Sequence, residues 1–206
     1  MKRIKTAQKM VLVVGVIWLA AVSAFAQSSV AVMEFTNKID NQWWYQSGAA
    51  QTQDFFIAEL IKTKKLNVMD REDLESSLEE KNISISGPVS AASAVKIGRL
   101  LGVDYLLTGT ITKYGIVGLD GKPLPKGQLG GNTGKGKFSV TFKTELIDVS
   151  TGKAVWAREE TGETTQIKVS VGGFGSSADD RNTFELAMKP AIQRAVANFK
   201  AADLKL

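Results

Sequence analysis

The 206-residue sequence contains no cysteine and no histidine. Without cysteine the chain has no disulfide, iron–sulfur cluster, thiolate zinc site, thiol nucleophile or acylated cysteine anchor. Without histidine it lacks the usual general base and the commonest zinc ligand, which excludes Ser-His-Asp hydrolases and zincins. Nearly all of the net positive charge lies at one end. Of 26 Lys and Arg, four (Lys2, Arg3, Lys5 and Lys9) lie in the first nine residues, where there is no acid. Residues 27–206 carry 22 cations against 21 acids, so no basic stripe remains and no nucleic-acid partner is expected.

What is present begins with a leader. The basic start is followed by the apolar run of residues 10–22 and the small-residue site Ala24-Phe25-Ala26. This order is that of a secretory signal peptide spanning residues 1–26, with Gln27 as the expected new N-terminus. Such a leader directs the chain to the periplasm or cell surface, where a chain without cysteine carries no redox liability.

Residues 27–206 read as one α/β domain: a mixed sheet of about five strands with helices packed on it. Val30, Ala31 and Val32 run without polar alternation, as in a strand buried on both faces. Phe55, Phe56, Ala58, Leu60 and Ile61 give an apolar stripe over residues 51–64. A short strand is expected at 66–69, then a helix capped by Asp70 with Leu74 and Leu78 facing inward. A second helix is expected from the Ser90 cap to Leu101, ended by Gly102. Residues 103–114 form the clearest strand, with Gly109 marking a bulge or a close backbone approach.

The next 22 residues, 115–136, hold eight glycines and two prolines and read as a flexible loop. Strict alternation then resumes: Phe138, Val140, Phe142 and Leu146 on one face, Lys137, Ser139, Thr141, Lys143 and Glu145 on the other. A turn at 148–153 and a returning strand from Ala154 make a hairpin. A terminal helix is expected from about Asn182, with Pro190 inside it as a kink.

No catalytic, cofactor or metal set emerges from these residues. The glycine run ending Gly134-Lys135-Gly136-Lys137 precedes a strand, whereas a phosphate-cradling loop opens a helix and ends in Gly-Lys-Ser/Thr. Asp70, Glu72, Asp73, Glu75, Glu79 and Glu80 read as the solvated face of a helix. Trp43, Trp44 and Tyr45 stand apart, because three adjacent aromatics in a loop do not all face one core. They are the candidate partner contacts.

Four stretches, in order and spacing, resemble the CsgG family of bacterial envelope proteins, whose best-known member forms the outer-membrane pore that exports curli subunits. They are Val30-Ala31-Val32-Met33-Glu34-Phe35, then Val68-Met69-Asp70-Arg71-Glu72-Asp73-Leu74. Ile97-Gly98-Arg99-Leu100-Leu101-Gly102-Val103-Asp104-Tyr105-Leu106-Leu107-Thr108-Gly109-Thr110-Ile111 follows, and Ile147-Asp148-Val149-Ser150-Thr151-Gly152-Lys153 closes the set. The resemblance implies a periplasmic α/β domain, self-association into rings, an envelope or secreted protein partner, and assembly or export of curli-like surface material without enzymatic activity. The family's fold is also similar to that of lipoproteins that stimulate peptidoglycan synthases, which leaves an adaptor or activator as the alternative.

Two departures bear on the outer membrane. The family's exporters are lipoproteins, and this sequence has no cysteine to acylate. They also cross the membrane with two hairpins per subunit, each strand needing about 9–11 residues with alternating lipid-facing apolar positions. Residues 114–137 are too rich in Gly, Pro and Lys for that, and Arg158, Glu159 and Glu160 put charge on both faces of the other candidate arm. A relative without a full barrel is therefore expected.

Overall fold

The computed structural model describes residues 27–37, 48–85, 89–118, 136–165, 178–204 and 206. The expected leader 1–26, the aromatic loop residues Trp43, Trp44 and Tyr45, and residues 119–135 of the glycine-rich stretch lie outside them. Six strands form one mixed sheet: β1 (Ser29–Val32), β2 (Thr36–Asn37), β3 (Asn67–Val68), β4 (Tyr105–Gly118), β5 (Gly136–Asp148) and β6 (Ala154–Thr164). The helices are α1 (Gly48–Thr63), α2 (Arg71–Glu80), α3 (Ala91–Leu101) and α4 (Ala178–Ala201). The strand order is β3-β1-β4-β5-β6, with β2 continuing along β4. β1 runs parallel to both β3 and β4, whereas β4, β5 and β6 form an antiparallel meander.

The unbroken apolar run of β1 follows from its place at the junction of two layers. Val30 and Val32 face the core shared with α1 and α4, and Ala31 and Met33 face the core shared with α2 and α3. All four are buried. The opening of β1 is tied to the opening of β4: Asp104 accepts from both the backbone N–H and the hydroxyl of Ser29, each at 2.8 Å.

The sixth strand arises because the first is interrupted. After Met33, whose N–H still donates to Leu107, the chain leaves the ladder and rejoins it at Thr36, opposite Thr110. Phe35, in the gap, turns into the core and lies over Gly109. A Cβ placed on Gly109 would come within 2.0 Å of the Phe35 ring. Close approach is thus the reason for this glycine, and the bulge in β4 sits two residues later, between Ile111 and Lys113. The Phe35 ring stacks on Phe56 of α1 at 5.0 Å and meets Phe142 of β5 edge-on at 6.1 Å.

The capping residues behave as their chemistry requires. Asp70 accepts from Asp73 N–H at 2.8 Å to start α2, and Ser90 accepts from Ser93 N–H at 3.2 Å to start α3. Gly102 ends α3 in the left-handed conformation. Between β5 and β6, the Asp148 carboxylate accepts from Ser150 N–H, the Ser150 hydroxyl and Thr151 N–H, at 2.7, 2.6 and 3.1 Å. These bonds, the Ser150 hydroxyl first, hold the Asp148 carboxyl below its ordinary pKa.

β5 shows the expected alternation, with Phe138, Val140, Phe142 and Leu146 fully buried. Thr141, expected on the polar face, is buried as well, its hydroxyl 2.9 Å from that of Thr161. The two ends of the expected glycine-rich loop 115–136 are strand. Residues 115–118 continue β4 and pair with 136–139 of β5, because backbone pairing needs no side chain and Ile116 falls opposite Phe138. Tyr114 and Phe138 meet edge-on at 5.0 Å under Phe184 of α4.

α4 starts at Ala178, earlier than Asn182, and runs through Pro190 to Ala201. Pro190 is exposed, on the side turned away from the sheet. Ala187, Met188, Ala191, Ile192 and Phe199 of α4 are buried against the meander. Gly162 of β6 lets the helix backbone approach, since a Cβ there would lie 2.0 Å from the Ala187 carbonyl oxygen. Trp156 of β6 donates to Asn198 at 3.1 Å.

Two predictions arise from these contacts. Gly109→Ala should destabilise the fold by about 1–3 kcal/mol through overpacking, read as a lower urea midpoint, and adding Phe35→Leu should recover part of the loss. Asp148→Ala should cost about 1 kcal/mol by loss of the turn hydrogen bonds. Because the carboxyl pKa is lowered on folding, its contribution is complete above the ordinary Asp value of 3.8 and is lost as pH falls through the lowered value. Thermal melts should therefore show a shallower acid-side loss of stability in Asp148→Asn than in wild type.

Candidate functional site

The site follows from the way the chain leaves two adjacent parallel strands. From β1 and β2 it passes to α1 on one face of the sheet, and from β3 it passes to α2 on the opposite face. Helices diverging from neighbouring parallel strands leave a crevice outside the strands' carboxyl ends, where ligands of open α/β sheets characteristically bind. Here the crevice is a cavity of about 240 Å³.

Its described walls come from four segments. Met33 and Phe35 come from the interruption between β1 and β2, Leu74 and Leu78 from the inward face of α2, and Ile85 from the connection after α2. Gln53 of α1 lines the same space, only 4% exposed, and donates from Nε2 to the Val32 carbonyl at 2.7 Å. That bond satisfies the last carbonyl of β1 and fixes α1 against the strand end. Two carboxylates, Glu34 and Glu75, also line it, and among the described lining residues there is no Lys or Arg.

The charge around the crevice is acidic. The six carboxylates of 70–80 are exposed, as expected for a solvated helix face. Arg71 approaches Asp54 of α1 at 3.2 Å and Glu75 at 3.7 Å, which bridges the two helices at the rim. Among the described residues no group of three or more acids is placed to hold a metal ion. The perturbed groups lie elsewhere. Glu59 of α1 is pulled below its ordinary pKa mainly by the hydrogen bond from Lys62, with a further bond from Gln193 of α4. Tyr105 is pushed up by burial, then by the charges of Asp148 and Asp104.

A cavity of this size accepts one or two side chains rather than a nucleotide-sized cofactor, since cofactor and drug-sized sites run to about 300–1,000 Å³. Its chemistry is that of contact: an apolar hollow with a negatively charged rim. The candidate contacts Trp43, Trp44 and Tyr45 belong to residues 38–47, outside the described residues. Thr36 and Ala50, which lie near the two ends of that segment, both line the crevice. Sequence reasoning did not identify the crevice. Its local signal was a charged residue followed by an aromatic, Glu34-Phe35, directly after a fully buried strand, and that signal gains meaning only once β3 is known to lie beside β1.

No helix among the described residues is long and apolar enough to cross a membrane. The chain is 24% identical over 174 residues to NMB1126/NMB1164 of Neisseria meningitidis serogroup B, named as a candidate lipoprotein, with 76% of this chain and 71% of that protein covered. The fold is similar to that of lipoprotein GNA1162 from Neisseria meningitidis, with a TM-score of 0.50 at 17% identity over 70% of this chain and 88% of that one. A family model described as the curli production assembly/transport component CsgG matches residues 19–202. With nearly its whole length matched by that model and a mixed sheet carrying helices on both faces, the chain belongs to the CsgG family.

Proposed function

We propose that this protein is a secreted, non-enzymatic component of the bacterial cell envelope that acts in assembly or export of curli-like surface material, as an oligomer of itself. The observation that carries this reading is the family match across residues 19–202, together with a site suited to contact rather than to bond-making. The basic, apolar and small-residue leader supports export to the periplasm, with association at the outer membrane through protein surfaces rather than a lipid anchor. The neutral remainder of the chain supports protein partners over nucleic acid.

A second reading, a periplasmic adaptor or activator of another envelope protein such as a peptidoglycan synthase, is favoured by one observation. The strand pair that leads toward residues 119–135 is packed into the core at Tyr114 and Phe138, under α4. Arg158, Glu159 and Glu160 on β6 are likewise engaged in ion pairs, with Glu160 taking both Arg158 and Arg194 of α4.

Within the oligomer reading, Trp43, Trp44 and Tyr45 supply contact to a neighbouring subunit or partner. Trp44→Ala is expected to shift the chain to smaller species in size-exclusion chromatography with light scattering while leaving the melting temperature unchanged. A large fall in melting temperature with assembly intact would assign these aromatics to the core instead. Envelope fractionation separates the two readings. Extraction from washed outer membranes only by detergent, as a large ring, supports export, and release by osmotic shock as a small water-soluble species supports the adaptor.

A further inference from the structure

We infer that the crevice between α1 and α2 is an anchor site for an extended segment of another protein, one in which an apolar side chain is flanked by Lys or Arg. The apolar side chain enters against the half-buried Ala50, Leu78 and Ile85, over a floor of buried Met33, Phe35 and Leu74, and the flanking cations meet Glu34 and Glu75 at the rim. The inference stands apart from the assembly reading, which concerns how copies of this chain meet one another.

Three observations select this occupant. The first is size: about 240 Å³ accommodates an anchor side chain and is below the usual range of about 300–1,000 Å³ for whole small-molecule sites. A single apolar hollow with a polar rim is how interface anchors are received. The second is charge. Glu34 is exposed and makes no ion pair with the described residues, and Glu75 has only the 3.7 Å approach of an Arg71 that lies closer to Asp54. Among the described residues the lining holds two carboxylates and no Lys or Arg, and Arg71 at the rim already meets Asp54 and Glu75, so a cation is better matched there than a phosphate or carboxylate.

The third is pattern. On α2, Glu72, Glu75 and Glu79 follow one another at helical spacing of three and four, beside the Leu74 and Leu78 stripe that enters the cavity. An acidic row running alongside an apolar one is the complement of a strand-like segment that alternates basic and apolar residues. Charge attraction of this kind raises the association rate and selects against acidic partners.

The test uses the purified chain and a fluorescein-labelled peptide, acetyl-Lys-Leu-Lys-Leu-Lys-amide, with binding read by anisotropy. The expected result is saturable binding that weakens at least tenfold for Glu34→Lys/Glu75→Lys, whose exposed positions leave the fold intact by circular dichroism. Ala50→Leu, which fills the hollow without altering charge, should weaken binding to a similar degree. The peptides Lys-Ser-Lys-Ser-Lys and Glu-Leu-Glu-Leu-Glu should bind at least tenfold more weakly. The proposal is overturned if the leucine peptide does not bind, if binding is indifferent to both sets of substitutions, or if the serine peptide binds equally well. It is also overturned if binding appears only in Trp43→Ala/Trp44→Ala/Tyr45→Ala, which would make the chain's own segment 38–47 the occupant.

Discussion

The Phe35 ring resting on the bare backbone of Gly109 is the contact on which the two halves of this fold depend. It requires the first strand to break after Met33, because an unbroken ladder would leave no slack for the ring to turn inward. It also requires a glycine opposite, since any side chain there would occupy the ring's own space. Once seated, Phe35 stacks on Phe56 of α1 and meets Phe142 of β5, so one aromatic joins the parallel part of the sheet, a covering helix and the antiparallel meander. Rings in stacked and edge-on pairs contribute about 0.5–1.5 kcal/mol each beyond their burial.

The same break shapes the functional surface. By leaving the sheet at 33–35, the chain exposes Glu34 and turns Met33 and Phe35 toward the carboxyl ends of the parallel strands. α1 and α2 depart from those ends on opposite faces, and the space between them remains open. Core packing and the contact site therefore share a cause. The meander is packed differently, with α4 laid along β5 and β6 and brought close by Gly162. Its strands are committed to the core at Tyr114 and Phe138.

The ionic contacts refine this architecture rather than create it. Exposed pairs such as Lys143 with Glu159 are worth about 0–1 kcal/mol. Those that join separate elements matter more for geometry: Arg194 of α4 holds both the Glu160 carboxylate and the Thr161 carbonyl of β6. Glu59 links α1 to α4 through Gln193, with its charge favoured by the bond from Lys62.

Much of the secondary structure was legible in the chain itself. The caps Asp70, Ser90 and Gly102, the alternation along β5 and the Asp148 turn all depend on residues within a few positions of one another, so local chemistry determined them. The absence of histidine and cysteine bounded the function for the same reason, since composition needs no fold to be read. The break in the first strand, the extension of β4 and β5 into glycine-rich sequence, the burial of Thr141 and the crevice were decided by tertiary structure. Each depends on partners 20 to 110 residues apart, such as Phe35 with Gly109 and Phe142. A residue's own neighbours in sequence carry no record of which distant surface will close over it.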